Sequence, residues 1–108
     1  MVVRDKVGRK RYIVFRVDAE RAISRRDFEQ AIISSFRVKG TFQSVRPKLI
    51  GFDGKAGILR CLHTGKERAI EILTATTRVA DKDVKVETVK TSGTIRKARA
   101  VVNDLASE

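Results

Sequence analysis

The sequence is short of the residues that build disulfides, metal cages and base-stacking surfaces. It contains one cysteine, one histidine, one proline and no tryptophan, and aromatic residues make up 6% of the chain. The single cysteine, Cys61, excludes an internal disulfide and a cysteine-based zinc site. His63 would share a strand face with Cys61, but two ligands do not make a zinc site. The scarcity of aromatic residues disfavours base-specific reading of single-stranded RNA, which depends on stacking.

Long apolar runs are also missing. The longest, such as residues 13–15 and 31–33, fall far short of the roughly 20 residues needed to cross a bilayer. The first residues lack the apolar stretch and cleavage site of a secretory signal. We therefore expect a protein that works in the cytoplasm and has no contact with a membrane.

Acidic residues are heavily outnumbered. The chain has 13 Asp and Glu against 24 Lys and Arg, which gives a net charge of +11. Three stretches contain bases and no acid: residues 6–17, 30–52 and 88–103. Such an excess indicates a polyanionic partner, and a highly charged surface without a target is the alternative.

Hydrophobic periodicity divides the 108 residues into short elements that fit one domain. Strands are predicted at 11–17, within 45–52, at 58–62 and at 84–89. One helix should follow the N-cap Ser24 and end before Gly40, and a second should follow a capping box from Thr64 to Glu67. A C-terminal helix is predicted over 94–106. The basic leader, residues 1–9, is expected to be mobile.

The predicted order is strand-helix-strand-strand-helix-strand with one further helix. This is the order of the ferredoxin-like or RRM-like βαββαβ sandwich, an α+β fold with a four-stranded antiparallel sheet and here an additional C-terminal helix. Pro47 places the second strand at an edge, because proline cannot donate to the ladder. The first strand carries apolar residues on both sides, so we expect helices on both faces of the sheet.

This topology predicts that the molecule is electrically bipolar. One end should be basic, and the opposite end should hold Asp18, Glu20, Asp53, Asp81 and Asp83, mixed with Arg25, Arg26 and Lys82. Two helix starts at the basic end, 64–66 and 92–94, offer backbone N–H groups that favour a phosphate. The predicted RNA-binding residues are Arg9, Lys10, Arg11, Arg37, Lys39, Arg46, Lys48, Lys66, Arg68, Lys90, Ser92, Gly93, Thr94, Arg96 and Lys97.

Three segments of the chain resemble a known family. They are Arg11-Tyr-Ile-Val-Phe-Arg16, Gly57-Ile-Leu-Arg-Cys61 and, most specifically, Val89-Lys-Thr-Ser-Gly-Thr-Ile-Arg-Lys-Ala98. Together they resemble the protein component 2 family of ribonuclease P, whose eukaryotic relatives serve ribonucleases P and MRP. The resemblance spans about residues 11–100. Where family members often carry Phe-Gly before the third strand, this chain has Phe52-Asp53-Gly54.

The resemblance implies an RRM-like subunit that has no active site of its own. Such a subunit binds and activates the catalytic RNA of ribonuclease P for 5′ maturation of precursor tRNA. The implied partners are the ribonuclease P RNA and protein component 3, with precursor tRNA contacted only indirectly and a homodimer within a heterotetramer. Mg2+ is then bound by the partner RNA, and the protein itself binds no cofactor.

Two other interpretations stay open from the residues. A basic RNA-binding protein of another assembly, such as the ribosome, would have the same composition. A small acylphosphatase-like enzyme would have the same fold, but it needs an asparagine on the second strand, and the only one here is Asn103. Cys61 and His63 are expected at core or edge positions, and Asp81 and Asp83 in a turn.

Overall fold

The computed structural model describes residues 10–21, 23–40 and 45–106. Within them lie five strands, three α-helices and one 3-10 turn. The elements in chain order are β1 (Lys10–Ala19), α1 (Arg25–Val38), β2 (Lys48–Phe52), β3 (Ala56–Leu62), the 3-10 turn (His63–Gly65), α2 (Lys66–Ala75), β4 (Arg78–Val79), β5 (Lys82–Ser92) and α3 (Ile95–Ala106). The leader, residues 1–9, lies outside the described residues.

The strands form one antiparallel sheet in the order β2-β3-β1-β5-β4. The βαββαβ sandwich is therefore confirmed, but the predicted four-stranded sheet is wrong, because β4 adds a fifth strand. Asp81 lies in the turn between β4 and β5 as predicted, whereas Asp83 lies in β5 opposite Arg78. Ala80 and Asp81 in this turn both have positive φ, 51° and 65°. Two positive φ values in succession are typical of the turns that match strand twist. A strand of two residues is too short to show alternation in the sequence.

Helices α1 and α2 cover one face of the sheet. Ser24 caps α1 as predicted, with its side-chain oxygen accepting from the backbone N–H of Asp27 at 3.1 Å. The helix buries Phe28, Ile32 and Phe36. The Phe28 ring stacks against the rings of Phe15 and Phe52 from the sheet, with centroid distances of 5.2 Å and 4.6 Å.

Helix α3 covers the other face, so the expectation of two covered faces is confirmed. Ala98 is fully buried against Val14 and Ile58 of the sheet. Thr94 caps α3, since its hydroxyl oxygen accepts from the backbone N–H of Lys97 at 3.3 Å. Among the described residues, no helix is long and apolar enough to cross a membrane.

The start of α2 differs from the prediction. Thr64 lies inside the 3-10 turn, and α2 begins at Lys66 with no side-chain hydrogen bond at its cap. The residue before α2 is packed closely, because a Cβ on Gly65 would lie 2.9 Å from the Cα of Val45. The capping box predicted from Thr64 and Glu67 is therefore wrong.

Strand β2 begins at Lys48, directly after Pro47, and it occupies an edge of the sheet as predicted. The hairpin to β3 is closed by the Asp53 carboxylate, which accepts from the backbone N–H groups of Lys55 and Ala56 at 2.9 and 2.8 Å. Gly54 takes a positive φ of 98° within the turn. The Phe52-Asp53-Gly54 segment thus forms a regular hairpin in spite of its departure from the family pattern.

Gly57 offers a test of how tightly this hairpin packs on the aromatic stack. A Cβ at residue 57 would lie 2.6 Å from the carbonyl oxygen of Gly51 and 2.7 Å from the ring of Phe15. Gly57→Ala should therefore lower the free energy of unfolding by about 1–3 kcal/mol, measured by urea denaturation. The matched control is Gly51→Ala, whose Cβ would meet nothing within 4 Å. Equal urea midpoints for the two variants would contradict this packing.

Candidate nucleic-acid interface

The pairing register brings the predicted basic residues to one end of the sandwich. Lys10 at the start of β1 faces Leu62 at the end of β3, and Tyr12 faces Ser92 at the end of β5. Lys48 at the start of β2 faces Arg60. Helix α1 ends at the same side, and α2 and α3 begin there. We call this end the cationic pole, defined by Lys10, Arg11, Arg37, Lys39, Arg46, Lys48, Arg60, Lys66, Lys90, Arg96 and Lys97.

Arg11 and Lys66 lie at the centre of the pole. Both side chains are half-buried, and both act on the Cys61 thiol through their charge. The Arg11 guanidinium also lies over the turn before α3, with Nη1 3.1 Å from the position that a Cβ would take on Gly93. A cation at this turn stands beside the first N–H groups of α3, which have no partner within the helix. This geometry suits a phosphate oxygen, although contact with phosphate here stays a prediction.

The residues of the turn before α3 differ in burial and in hydrogen bonding. Ser92 is buried, and its hydroxyl accepts from the backbone N–H of Thr94 and donates to the carbonyl oxygen of the same residue. It therefore braces the turn and has no proton left for a ligand. Gly93 and Thr94 are exposed. Lys90 and Lys97 border the same shallow hollow on the surface, together with the acid Asp104.

The cations at the edges of the pole come from helix ends and loops. Lys39 follows the last turn of α1, where Arg37 also lies, and both are exposed. Arg46 is exposed in a left-handed conformation, with φ 49°. Arg68 differs from the others because its guanidinium forms an ion pair with Glu71 at 3.1 Å, which offsets part of its charge. Arg9 lies outside the described residues.

Charge is arranged differently at the opposite end. There Arg16 and Lys85 both form ion pairs with Glu87, at 3.2 and 3.3 Å. The Arg16 hydrogen bond, followed by the bond and charge of Lys85, lowers the pKa of the Glu87 carboxyl. The predicted acids lie at this end as well, around two clefts, and they are Asp18, Glu20, Asp53, Asp81 and Asp83. Arg21, Lys55 and Lys82 line the same clefts, so this end carries both signs of charge.

The cations of the pole are left largely unneutralised. Within the described part of the chain, none of Lys10, Arg11, Lys48, Arg60, Lys66, Lys90 and Lys97 forms an ion pair with a carboxylate. Two acids lie near the pole, Glu67 in the first turn of α2 and Asp104 beside Lys90 and Lys97. Concentrated charge of one sign raises the local potential and attracts a polyanion.

Arg60 is the member of the pole that the sequence prediction missed. It lies on β3 between the buried residues Leu59 and Cys61, so alternation places it on the other face of the sheet. Its position opposite Lys48 depends on the pairing of β2 with β3. No local sequence pattern predicts the pairing of β2 with β3.

Among the described residues, the aromatic rings do not form a platform for bases. Tyr12 packs with the cluster under α3, and Phe52 belongs to the stack with Phe15 and Phe28. The pole therefore offers charge and hydrogen-bond donors to a nucleic acid, which suits contacts to the backbone.

No group of three or more His, Cys, Asp and Glu side chains that could hold a metal ion is found in the described residues. Cys61 is fully buried, whereas His63 is exposed at the start of the 3-10 turn. Burial raises the pKa of the Cys61 thiol to about 11, against the opposing charges of Lys66 and Arg11. The thiol is therefore protonated and a poor nucleophile at neutral pH.

Comparison with known proteins gives consistent matches over most of the chain. The model of the Rpp14/Pop5 family matches residues 11–102. Ribonuclease P protein component 2 of Archaeoglobus fulgidus is 35% identical over 96 residues, which cover 85% of this chain and 86% of the relative. The protein of the same name from Methanosarcina barkeri is 31% identical over 94 residues, covering 84% of this chain and 70% of the relative.

One solved structure shares the fold. A chain in the cryo-EM structure of yeast ribonuclease MRP matches with a TM-score of 0.64. The match covers 92% of this chain and 89% of that chain at 12% sequence identity. The sandwich with its covering helices is therefore found in a chain of very different sequence.

The raised pKa of the Cys61 thiol predicts that it reacts slowly with disulfide reagents. In the folded protein at pH 8, a disulfide reagent such as dithionitrobenzoate should label Cys61 far more slowly than in urea. The reason is that burial both suppresses the thiolate and blocks access. Labelling should accelerate as the pH approaches about 11. Equal labelling rates in folded and urea-unfolded protein at pH 8 would show that the Cys61 thiol is not buried in the folded protein.

Proposed function

The chain belongs to the Rpp14/Pop5 family and is a ribonuclease P protein subunit, and we propose that its cationic pole holds the RNA of that enzyme. The observation that carries the proposal is the gathering of cations at the pole, whereas acids and bases lie side by side at the opposite end. A surface arranged only for solubility would intersperse both signs. The family membership favours ribonuclease P over another ribonucleoprotein.

The pole would act by neutralising RNA phosphates. In a folded RNA, phosphates that come close together repel one another, and Mg2+ bound by the RNA normally offsets that repulsion. Lys and Arg side chains take over part of this role when they replace condensed counterions. The subunit then stabilises the active RNA fold at lower magnesium concentration. In this proposal the RNA and its Mg2+ carry out the cleavage, and the protein contributes no reacting group.

The proposal extends to the assembly. Protein component 3 would bind this subunit, and two copies of the chain would meet as a homodimer within a heterotetramer. Precursor tRNA would be affected indirectly, through the RNA that the subunit stabilises. The family resemblance supports these partners, and the pole leaves the rest of the surface open to them.

Binding to ribonuclease P RNA should depend steeply on salt. About five phosphate contacts predict a slope of log affinity against log salt near −4 to −5 for duplex RNA. Lys90→Ala with Lys97→Ala should flatten that slope by about 1.4–1.8, since each lost contact removes about 0.7–0.9. The matched control is Lys55→Ala with Arg78→Ala, which removes the same charge at the opposite end. Filter binding in a salt series measures all three proteins, and a wild-type affinity that is insensitive to salt would refute the proposal.

Reconstitution tests the activity itself. Adding the chain together with protein component 3 to ribonuclease P RNA should lower the Mg2+ concentration needed for half-maximal cleavage of precursor tRNA. The Lys90→Ala and Lys97→Ala double variant should require more Mg2+ than wild type, while the control pair should not. A magnesium requirement that the protein leaves unchanged would count against the proposed mechanism.

A further inference from the structure

Three residues of the pole form a row across the sheet. Lys48 on β2, Arg60 on β3 and Tyr12 on β1 stand directly opposite one another in the pairing register. Directly opposed residues point to the same face, with Cβ atoms about 4.5–5.5 Å apart. The row therefore spans about 10 Å, and its members share the side of the sheet on which Tyr12 packs, the α3 side.

Helix α3 leaves this corner of the sheet open. Its apolar face packs around Val14, Ile58 and Ile50, which belong to the neighbouring positions along the strands. Lys48 is exposed, and Arg60 and Tyr12 are half-buried. Neither the Arg60 nor the Tyr12 side chain forms a hydrogen bond within the described residues, and no buried side-chain nitrogen or oxygen there lacks a partner, so their polar ends reach solvent. The row thus presents two cationic groups and one hydroxyl on an accessible surface.

The pairing of Lys48 with Arg60 is unfavourable by itself. Like charges placed directly opposite on a sheet destabilise it. No described carboxylate forms an ion pair with either residue, so the repulsion is not offset within the described part of the protein. Lys10, exposed and two residues before Tyr12 on β1, adds a third cation on the same side. A bound polyanion would turn this repulsion into attraction.

We infer that Lys48, Arg60 and Tyr12 form an RNA backbone site on the open corner of the sheet, which adjoins the turn before α3 because Tyr12 faces Ser92. The inference rests on the proposed function and assigns a face of the sheet and a tyrosine hydroxyl to it. The Arg60 guanidinium suits two oxygens of one phosphate, and Lys48 binds the adjacent phosphate as a point charge. The Tyr12 hydroxyl donates to a phosphate oxygen, while its ring stays packed under α3.

The test uses two double variants of the full-length chain that each remove two cations of the pole. Lys48→Ala with Arg60→Ala should flatten the salt slope of ribonuclease P RNA binding by about 1.4–1.8, and the loss should add to that of Lys90→Ala with Lys97→Ala. Unchanged affinity and slope for the first pair, with a loss for the second, would overturn the sheet site and leave the proposed function standing. Unchanged binding for both pairs would overturn both.

Folding of the variants provides an independent readout. Because the Lys48 and Arg60 repulsion is removed, the double variant should have a urea midpoint equal to or above that of wild type. Arg60→Lys keeps the charge but loses the fork of donors, so its affinity should fall between wild type and Arg60→Ala. Equal affinities for wild type and Arg60→Ala would overturn the role of Arg60.

The hydroxyl of Tyr12 is tested by Tyr12→Phe. This variant keeps the ring under α3 and removes one hydrogen-bond donor, so we expect about two- to tenfold weaker RNA binding. The matched control is Phe52→Leu, because the Phe52 ring lies in the aromatic stack away from this corner. This variant should bind RNA as wild type does. Wild-type affinity for Tyr12→Phe would remove Tyr12 from the site.

Discussion

Strand β1 is paired on both sides and buried on both faces, and the positions of all other elements depend on it. It is hydrogen-bonded to β3 and to β5, and Ile13, Val14 and Phe15 are all fully buried. A shift of one residue in its register would exchange the two faces and place Val14 in the wrong core. Because both neighbours run antiparallel to β1, their ends near Lys10 meet at one side. The cationic pole is a consequence of this register.

The pole illustrates how a binding surface differs from the rest of a charged protein. At the opposite end, Arg16 and Lys85 share the Glu87 carboxylate, and exposed pairs of this kind contribute little to stability. At the pole, Lys48 and Arg60 face each other without such a partner. The fold tolerates this repulsion because its stability comes from two apolar cores. A site that is locally unfavourable is expected where function, and not stability, selects the residues.

Helix α3 decides which parts of the sheet a nucleic acid can reach. In a sandwich without this helix, the second face would be open along its whole length. Here Ala98 lies against Val14 and Ile58, which closes the middle of the face, while the corner near Lys48 and Arg60 stays accessible. The same helix begins at the pole, where its first N–H groups lie beside Arg11. One element thus closes the apolar part of the face and adds donors at its border.

Much of the architecture follows from local sequence. The helix stripe at Phe28, Ile32 and Phe36 and the Ser24 cap act over a few residues, so they are legible without the fold. Pro47 marks an edge strand because it cannot donate to a ladder. The acid-free stretches already predict one basic end, once the order of strands is recognised.

Other features exist only after the chain has folded. Thr64 does not cap α2, because it lies inside the 3-10 turn and the helix begins after Gly65, which packs directly against Val45. The two-residue β4 is held by its pairing with β5, and no periodicity in the sequence predicts that pairing. Arg60 joins Lys48 and Tyr12 only through strand pairing between residues far apart in the chain. Composition and periodicity set the charge and the elements, whereas register and close packing, which are non-local, decide which side chains meet.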